Sequence, residues 1–152
     1  MNDLVVKKVG SDQAPYELLL LADPSMDMIN DYINRGNCYV AYVNNNLVGV
    51  YVTIRTRPLT LELANIAVSQ AYQGKGIGEK LIRSAIDMAR KEKAKVLEVG
   101  TGNSSISQLA LYQRCGFRIT GIDRDFFRQH YDERIIENGI ECIDMIRLGM
   151  NL

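Results

Sequence analysis

The sequence lacks tryptophan, contains a single histidine, His130, and has only three cysteines and three prolines among 152 residues. The cysteines, Cys38, Cys115 and Cys142, are far apart and show no C-x-x-C spacing. Such cysteines signal neither a disulfide framework nor a zinc site. We therefore predict reduced thiols in a cytoplasmic protein without a bound metal.

Long apolar runs and an excess of charge of one sign are also missing. The apolar run at residues 18–22 is flanked by acidic residues and is far shorter than the roughly 20 residues of a membrane-spanning helix. The start, Met1-Asn2-Asp3, lacks the charged and apolar regions of a signal peptide. Eighteen lysines and arginines balance eighteen aspartates and glutamates, whereas binding to a phosphate backbone requires an excess of positive charge. Neither a membrane nor a nucleic-acid partner is expected.

The remaining composition, 47% hydrophobic and 24% charged, is that of a soluble globular protein. No repeat, low-complexity tract or linker divides the chain, and its length suits one core. We therefore predict a single domain over residues 1–152.

Apolar periodicity and turn residues predict an alternation of strands and helices. The strands are predicted at residues 4–9, 38–43, 47–57, 61–68, 96–99, 117–122 and 141–148. Helices are predicted within residues 15–36, where Asp23-Pro24 opens one that Gly36 ends, and at residues 76–92 and 104–115. The run Asn44-Asn45-Asn46 closes a hairpin, and the strand–helix–strand order around the helix at 76–92 indicates a parallel crossover. The fold class is therefore α/β (α+β), with a mixed sheet of about six to seven strands flanked by about four helices.

The most informative run is Gln73-Gly74-Lys75-Gly76-Ile77-Gly78, between a predicted strand and an amphipathic helix. Glycines let the backbone approach a ligand closely, and N–H groups at a helix start bind anions such as a pyrophosphate. A turn without a ligand is the alternative, although glycine is costly within the first helical turn. The spacing fits neither the Walker loop nor the dinucleotide pattern G-x-G-x-x-G.

Three ordered motifs carry a resemblance. They are similar to the motifs of the GNAT (GCN5-related) N-acetyltransferase superfamily. The three motifs are the pattern Gln73-x-x-Gly76-x-Gly78, the preceding strand of residues 65–68, and Asn103 followed by residues 111–117. The motifs span residues 61–117, and the order of the elements extends the resemblance over residues 4–148.

This resemblance implies acetyl-CoA as co-substrate. The main-chain amides of the turn would hold the CoA pyrophosphate, and the residues concerned are Gln73, Gly74, Lys75, Gly76, Ile77 and Gly78. The backbone of Ile66 and Val68 would pair with the pantetheine arm, Ala67 between them would belong to the same cofactor site, and Asn103 would contact CoA. Small members of the family often pair, so the resemblance also carries the expectation of a homodimer.

The chemistry sets further requirements. A free alkyl ammonium, with a pKa near ~10, must lose its proton before it attacks a thioester. Glu62 is the candidate base, with a bound water or an ordinary outward-facing glutamate as alternatives. By resemblance, Tyr112 protonates the leaving thiolate and contacts CoA, and the N–H of Ile66 stabilises the oxyanion; a core aromatic is the alternative for Tyr112. The predicted function is acetyl transfer to a primary amine of a small molecule, protein or peptide, by direct attack in a ternary complex.

Two other functions stay open at this point. A GNAT fold can bind acetyl-CoA without catalysis. Residues 96–102 also resemble the first motif of S-adenosylmethionine-dependent methyltransferases, although only 50 residues follow Gly102. No motif identifies the acceptor, whose walls we expect in residues 15–36, 55–60 and 123–139. His130, in the last of these, is interpreted as a solvated loop residue or a rim residue of the acceptor site.

Overall fold

A computed structural model describes residues 3–152. Met1 and Asn2 lie outside the described residues. The interpretation of the N-terminus and the start of the predicted domain depend partly on these two residues. Over residues 3–152 the chain forms nine strands and five α-helices. The strands are β1 (Val5–Val9), β2 (Asn37–Val43), β3 (Asn46–Arg57), β4 (Thr60–Val68), β5 (Val96–Gly102), β6 (Arg118–Asp123), β7 (Ile135–Glu137), β8 (Ile140–Cys142) and β9 (Met145–Asn151). The helices are α1 (Tyr16–Ala22), α2 (Met26–Arg35), α3 (Ile77–Lys91), α4 (Ile106–Arg114) and α5 (Phe126–His130).

Seven strands form one mixed sheet in the order β1-β2-β3-β4-β5-β9-β6, and β7 pairs with β8 in a separate hairpin. Within the large sheet, β4 and β5 are parallel, and the other neighbouring pairs are antiparallel. Helix α3 connects the two parallel strands. Both the mixed sheet and the parallel crossover are therefore confirmed. No helix in the described part of the chain combines the length and apolar character needed to cross a membrane.

Helices cover both faces of the sheet. On one face, α3 buries its apolar stripe against β3, β4 and β5, while Glu79 and Arg83 form an outward ion pair at 3.3 Å. On the other face, α1 and α2 pack over β2 and β3 around Leu19, Ile29 and Ile33. Burial of these two apolar clusters supplies the main driving force for folding.

The β2–β3 hairpin forms as its asparagines predict. Asn44 and Asn45 have φ angles of 51° and 64°, the left-handed values that a two-residue primed turn requires and that asparagine tolerates.

Two predicted boundaries are wrong because side chains bond the backbone in unexpected places. Helix α2 begins after Ser25, whose Oγ accepts a hydrogen bond from the N–H of Met28 at 3.2 Å, and not at Asp23-Pro24. The strand predicted at residues 141–148 is two strands of different sheets, β8 and β9. Between them, the N–H groups of Ile143 and Asp144 donate to Oδ1 of Asn103 and so leave the ladder. The segment 123–139, in which no helix or strand is predicted, contains α5 and β7.

Candidate active site

One extra residue in β4 opens the sheet. In the register with β3, Val52 lies opposite Asn65 and Thr53 lies opposite Leu63, so Ala64 is a β-bulge, which bends a strand locally. The parallel pairing of β4 with β5 ends at the same point, with Leu63 opposite Val99. Because both strands continue beyond this pair, they separate and leave a gap between them.

Beyond the bulge, the main chain of β4 directs alternate polar groups into this gap, where no neighbouring strand pairs with them. The N–H of Ser69 donates to the carbonyl of Val48 in the β3 strand at 2.8 Å. In an antiparallel ladder, alternate residues direct their polar groups to opposite sides. Ser69 and Ala67 therefore face β3, whereas Ile66 and Val68 face the gap. The side chain of Gln73 donates to the carbonyl of Val68 at 3.0 Å, which agrees with this direction.

The glycine turn follows directly. Gly74 and Gly76 have φ angles of 77° and 81°, in the left-handed region that other residues adopt only at a cost. A Cβ at either position would meet no atom within 4 Å, so the backbone conformation, and not lack of space, requires glycine. Gly78 has an ordinary φ, and a Cβ there would lie 3.6 Å from Leu111.

Gly76 caps the N-terminus of α3 and has no side chain with which to accept a hydrogen bond. The first N–H groups of α3 have no carbonyl partner within the helix and lie at the positive end of its dipole. This arrangement binds anions. Among the predicted turn residues, all except Lys75 line a cavity of about 580 Å³, which we call the glycine-turn cavity. The ammonium of Lys75 lies 5.6 Å from the ring centre of Tyr72.

A second cavity, of about 450 Å³, occupies the gap itself, and we call it the central cavity. Its walls come from β4, β5, α4, the end of α1 and the α5–β7 region. Four residues line both cavities, namely Leu21, Ala22, Ile66 and Gln108. The two cavities therefore adjoin. Of the three segments expected to form the acceptor walls, 15–36 and 123–139 contribute to the central cavity and 55–60 does not.

Tyr112 lies on the α4 wall of the central cavity, 4% exposed, with its ring edge-on to Phe117. Burial raises the pKa of Tyr112 above its usual range, so its hydroxyl is protonated and able to donate at neutral pH. Ile66 lines the same cavity. The structure thus brings together two predicted site residues that are 46 positions apart in the sequence.

Glu62 lines neither the central cavity nor the glycine-turn cavity. Its carboxylate is 3.8 Å from the guanidinium of Arg147, which also binds Asp123 at 2.6 Å. Burial raises the pKa of Glu62 from its ordinary value, and the lowering effect of Arg147 is smaller.

Asn103 also lies outside the lining of both cavities. Its Oδ1 accepts from the N–H groups of Ile143 and Asp144, and its Nδ2 donates to the carbonyl of Glu141. The side chain thus fixes the connection between β8 and β9. His130 is exposed, with its ring 4.6 Å from that of Phe126.

Several polar residues of the central cavity were not found from the sequence. They are Asp23, Asn65, Gln108, Tyr131 and Glu137. They come from separate segments and share no motif, so their proximity becomes visible only in the fold.

Comparison with known proteins agrees with this architecture. The model of the Acetyltransferase (GNAT) family matches residues 8–117. The uncharacterized N-acetyltransferase YvbK of Bacillus subtilis (strain 168) is 57% identical over 137 residues, which cover 90% of this chain and 88% of that protein. An IAA acetyltransferase structure from Bacillus cereus ATCC 14579 superposes with a TM-score of 0.96 at 55% identity, covering 99% of this chain and 100% of the other. A GNAT acetyltransferase from Elizabethkingia anophelis with acetyl-CoA bound superposes with a TM-score of 0.97 at 45% identity over 100% of both chains. The chain therefore belongs to the GNAT family of acetyltransferases.

Proposed function

We propose that this GNAT N-acetyltransferase transfers the acetyl group of acetyl-CoA to a primary amine of a small molecule or peptide by direct attack in a ternary complex. The observation that carries the proposal is the contact between the two cavities. A ligand held at the glycine turn can extend past Ile66 and Gln108, which line both cavities, into the central cavity.

Acetyl-CoA enters this arrangement with its pyrophosphate at the N-terminus of α3. The main-chain amides of residues 73–78 hold the pyrophosphate, and Ile66 and Val68 pair with the pantetheine amides as an adjacent strand would. Ala67 supports this segment from the β3 side. The acetyl group then lies in the central cavity. The Elizabethkingia protein has acetyl-CoA bound, which supports acetyl-CoA as the ligand of this chain.

In the transfer step, the lone pair of the neutral amine forms a C–N bond with the thioester carbonyl. The oxyanion of the tetrahedral intermediate accepts a hydrogen bond from the N–H of Ile66. When the C–S bond breaks, Tyr112 gives its proton to the leaving thiolate. The proton of the amine passes to a base, for which Glu62 and a water are the candidates. The ion pair between Glu62 and Arg147 and the position of Glu62 outside the cavity lining favour a water.

A covalent acetyl-enzyme is disfavoured by the properties of the thiol in the lining of the central cavity. Cys142 lines the central cavity and is buried. Desolvation raises the pKa of this thiol, whereas a thiolate is needed for nucleophilic attack. Direct attack within a ternary complex requires no such nucleophile.

The test is a CoA-release screen with acetyl-CoA and a panel of small-molecule and peptide amines. We expect Tyr112→Phe to lower kcat about 100-fold or more, since general acid catalysis contributes that much, while the Kd for CoA from calorimetry stays unchanged. Tyr42→Phe, a matched change on β2, should leave both values unaltered.

An unchanged rate for Tyr112→Phe would remove this residue from the mechanism. Binding of acetyl-CoA without turnover of any amine would favour the non-catalytic module. Binding of S-adenosylmethionine but not of CoA would favour the methyltransferase.

A further inference from the structure

A carboxylate is buried in the wall of the central cavity without a cation beside it. Asp23 is 9% exposed. Its Oδ1 accepts from the hydroxyl of Tyr131 at 2.8 Å and from the N–H of Ser25 at 3.1 Å, and its Oδ2 accepts from the hydroxyl of Tyr32 at 3.0 Å. All three donors are neutral. None of the ion pairs within residues 3–152 includes Asp23, although buried charges in proteins are usually paired.

A second acceptor in the same wall lacks a donor. Asn65 is 4% exposed, and its Nδ2 donates to the carbonyl of Leu19 at 3.1 Å and to the hydroxyl of Tyr32 at 2.7 Å. Its Oδ1 is buried and has no hydrogen-bond partner within residues 3–152, an arrangement that is rare and needs an explanation. The Tyr32 hydroxyl links Asn65 to Asp23, so the two acceptors belong to one network.

The formal charge of the cavity lining is negative. Among residues 3–152, the charged residues that line the central cavity are Asp23 and Glu137. The lining contributed by these residues contains no lysine, arginine or histidine. Glu137 is held by the hydroxyls of Ser104 and Ser105. The nearby cations Arg128 and Arg134 are paired with Glu141 outside this cavity. In a space of low dielectric constant, such a lining favours a cationic occupant.

The reacting nitrogen cannot supply that charge during transfer, because it must be neutral to attack. The charge must therefore come from a second group of the acceptor. We infer that the acceptor is a small amine with a second ammonium group, protonated at neutral pH, which the Asp23 carboxylate binds. The inference rests on the proposed function for its reacting amine, and a cavity of about 450 Å³ suits a small molecule.

Three straight-chain acceptors test the inference that a second ammonium group is bound. Each has five carbons and a primary amine at one end, and they differ only at the other end. Cadaverine carries a second ammonium at the far end, aminopentanol a hydroxyl and aminopentanoate a carboxylate. We expect kcat/KM to be about tenfold or more higher for cadaverine than for aminopentanol, since hydrogen bonds to charged groups are the stronger ones, and lowest for aminopentanoate. Calorimetric titration of each compound into the CoA-bound protein should give the same order of Kd, whether or not turnover occurs.

Asp23→Asn removes the charge and keeps the shape of the side chain. It should abolish the preference for cadaverine and leave the Kd for CoA unchanged. Asp27→Asn, the same change at an exposed position of α2, should retain the preference and so controls for net charge.

Equal kcat/KM and Kd for cadaverine and aminopentanol in the unmodified protein would overturn the inference without any variant. Release of CoA at equal efficiency with all three compounds would be consistent with the proposed acetyl transfer. It would reject only the inference that the acceptor carries a second ammonium group. Cadaverine binding that depends on Asp23 without release of CoA would retain the binding site and remove the acetyl transfer.

Discussion

The two adjoining cavities differ in whether main-chain groups or side chains form their polar walls. The glycine-turn cavity is lined mainly by one nearly continuous stretch, from Ile66 to Gly78, together with residues of α1 and α4, and its geometry depends on two left-handed glycines. On the side of the central cavity that we propose for the acceptor, the lining includes the side chains of Asp23, Asn65 and Tyr131, whose outermost members are 108 positions apart. A main-chain site tolerates changes of side chain but not of backbone conformation, whereas a side-chain site can be altered one residue at a time. Binding of the common co-substrate and choice of the acceptor can therefore vary independently.

The largest effect is expected from Gly76→Val. A β-branched residue at a φ of 81° is strained by roughly 1–3 kcal/mol, and relief of this strain turns the amides of the α3 N-terminus away from the pyrophosphate. Because each charge-assisted hydrogen bond is worth about 1.5–3 kcal/mol, the Kd for CoA measured by calorimetry should rise about 100-fold.

Gly78→Ala is the matched control, since its backbone is ordinary and the added Cβ makes normal contacts. Its Kd should stay within about threefold of the original. Equal losses in the two variants would show that bulk at the turn, and not backbone conformation, limits binding.

A smaller effect is expected from Asn103→Ala, which removes three hydrogen bonds to the β8–β9 connection. At about 1 kcal/mol each, the free energy of unfolding from urea titration should fall by about 2–3 kcal/mol. If Asn103 also contacts CoA, as the resemblance implies, the Kd for CoA should rise too.

The exposed Gln113→Ala on α4 serves as the reference and should change neither quantity. Loss of CoA affinity without loss of stability would give Asn103 a purely ligand-binding role.

The smallest effect is expected from Glu62→Gln. The pKa of Glu62 is raised in the folded protein, so its contribution to stability is complete below the pKa of the unfolded chain and is lost as the pH rises through the folded value. At pH 7 the ionised carboxylate therefore costs stability, and Glu62→Gln should raise the free energy of unfolding by less than about 1 kcal/mol. The difference should vanish below the ordinary pKa of glutamate, about 4.3.

The same variant tests the base. If a water accepts the proton, kcat should change less than about twofold, and a loss of about 100-fold would assign the role to Glu62. Thermal and urea unfolding at pH 7 and below the ordinary pKa of glutamate measure the effect on stability. The CoA-release rate measures the effect on catalysis.

The parts that could be predicted are those that local sequence determines. The hairpin turn at Asn44-Asn45 and the glycine turn each require backbone conformations that few residues adopt, and the apolar stripe of α3 repeats with the helical period. These features led to the mixed sheet, the crossover and the family.

The parts that could not be predicted depend on contacts between distant segments. Asp23 is a good helix cap by type, but Ser25 takes that position and the carboxylate instead binds Tyr32 and Tyr131. The break between β8 and β9 depends on Asn103, about 40 residues earlier. The single domain over 1–152, the homodimer, the cytoplasmic location and the roles of the site residues stay predictions.

Ala64 has a consequence for how such a site can arise or be lost. A single surplus residue leaves the edges of two parallel strands with hydrogen-bonding capacity that no neighbouring strand uses, and in the proposed complex the amide groups of the ligand would use this capacity. We expect deletion of Ala64 to restore continuous pairing of β4 with β3 and to narrow the gap between β4 and β5. Whether the gap between β4 and β5 is present depends on the number of residues in β4. The insertion or deletion of one residue can therefore create or remove it.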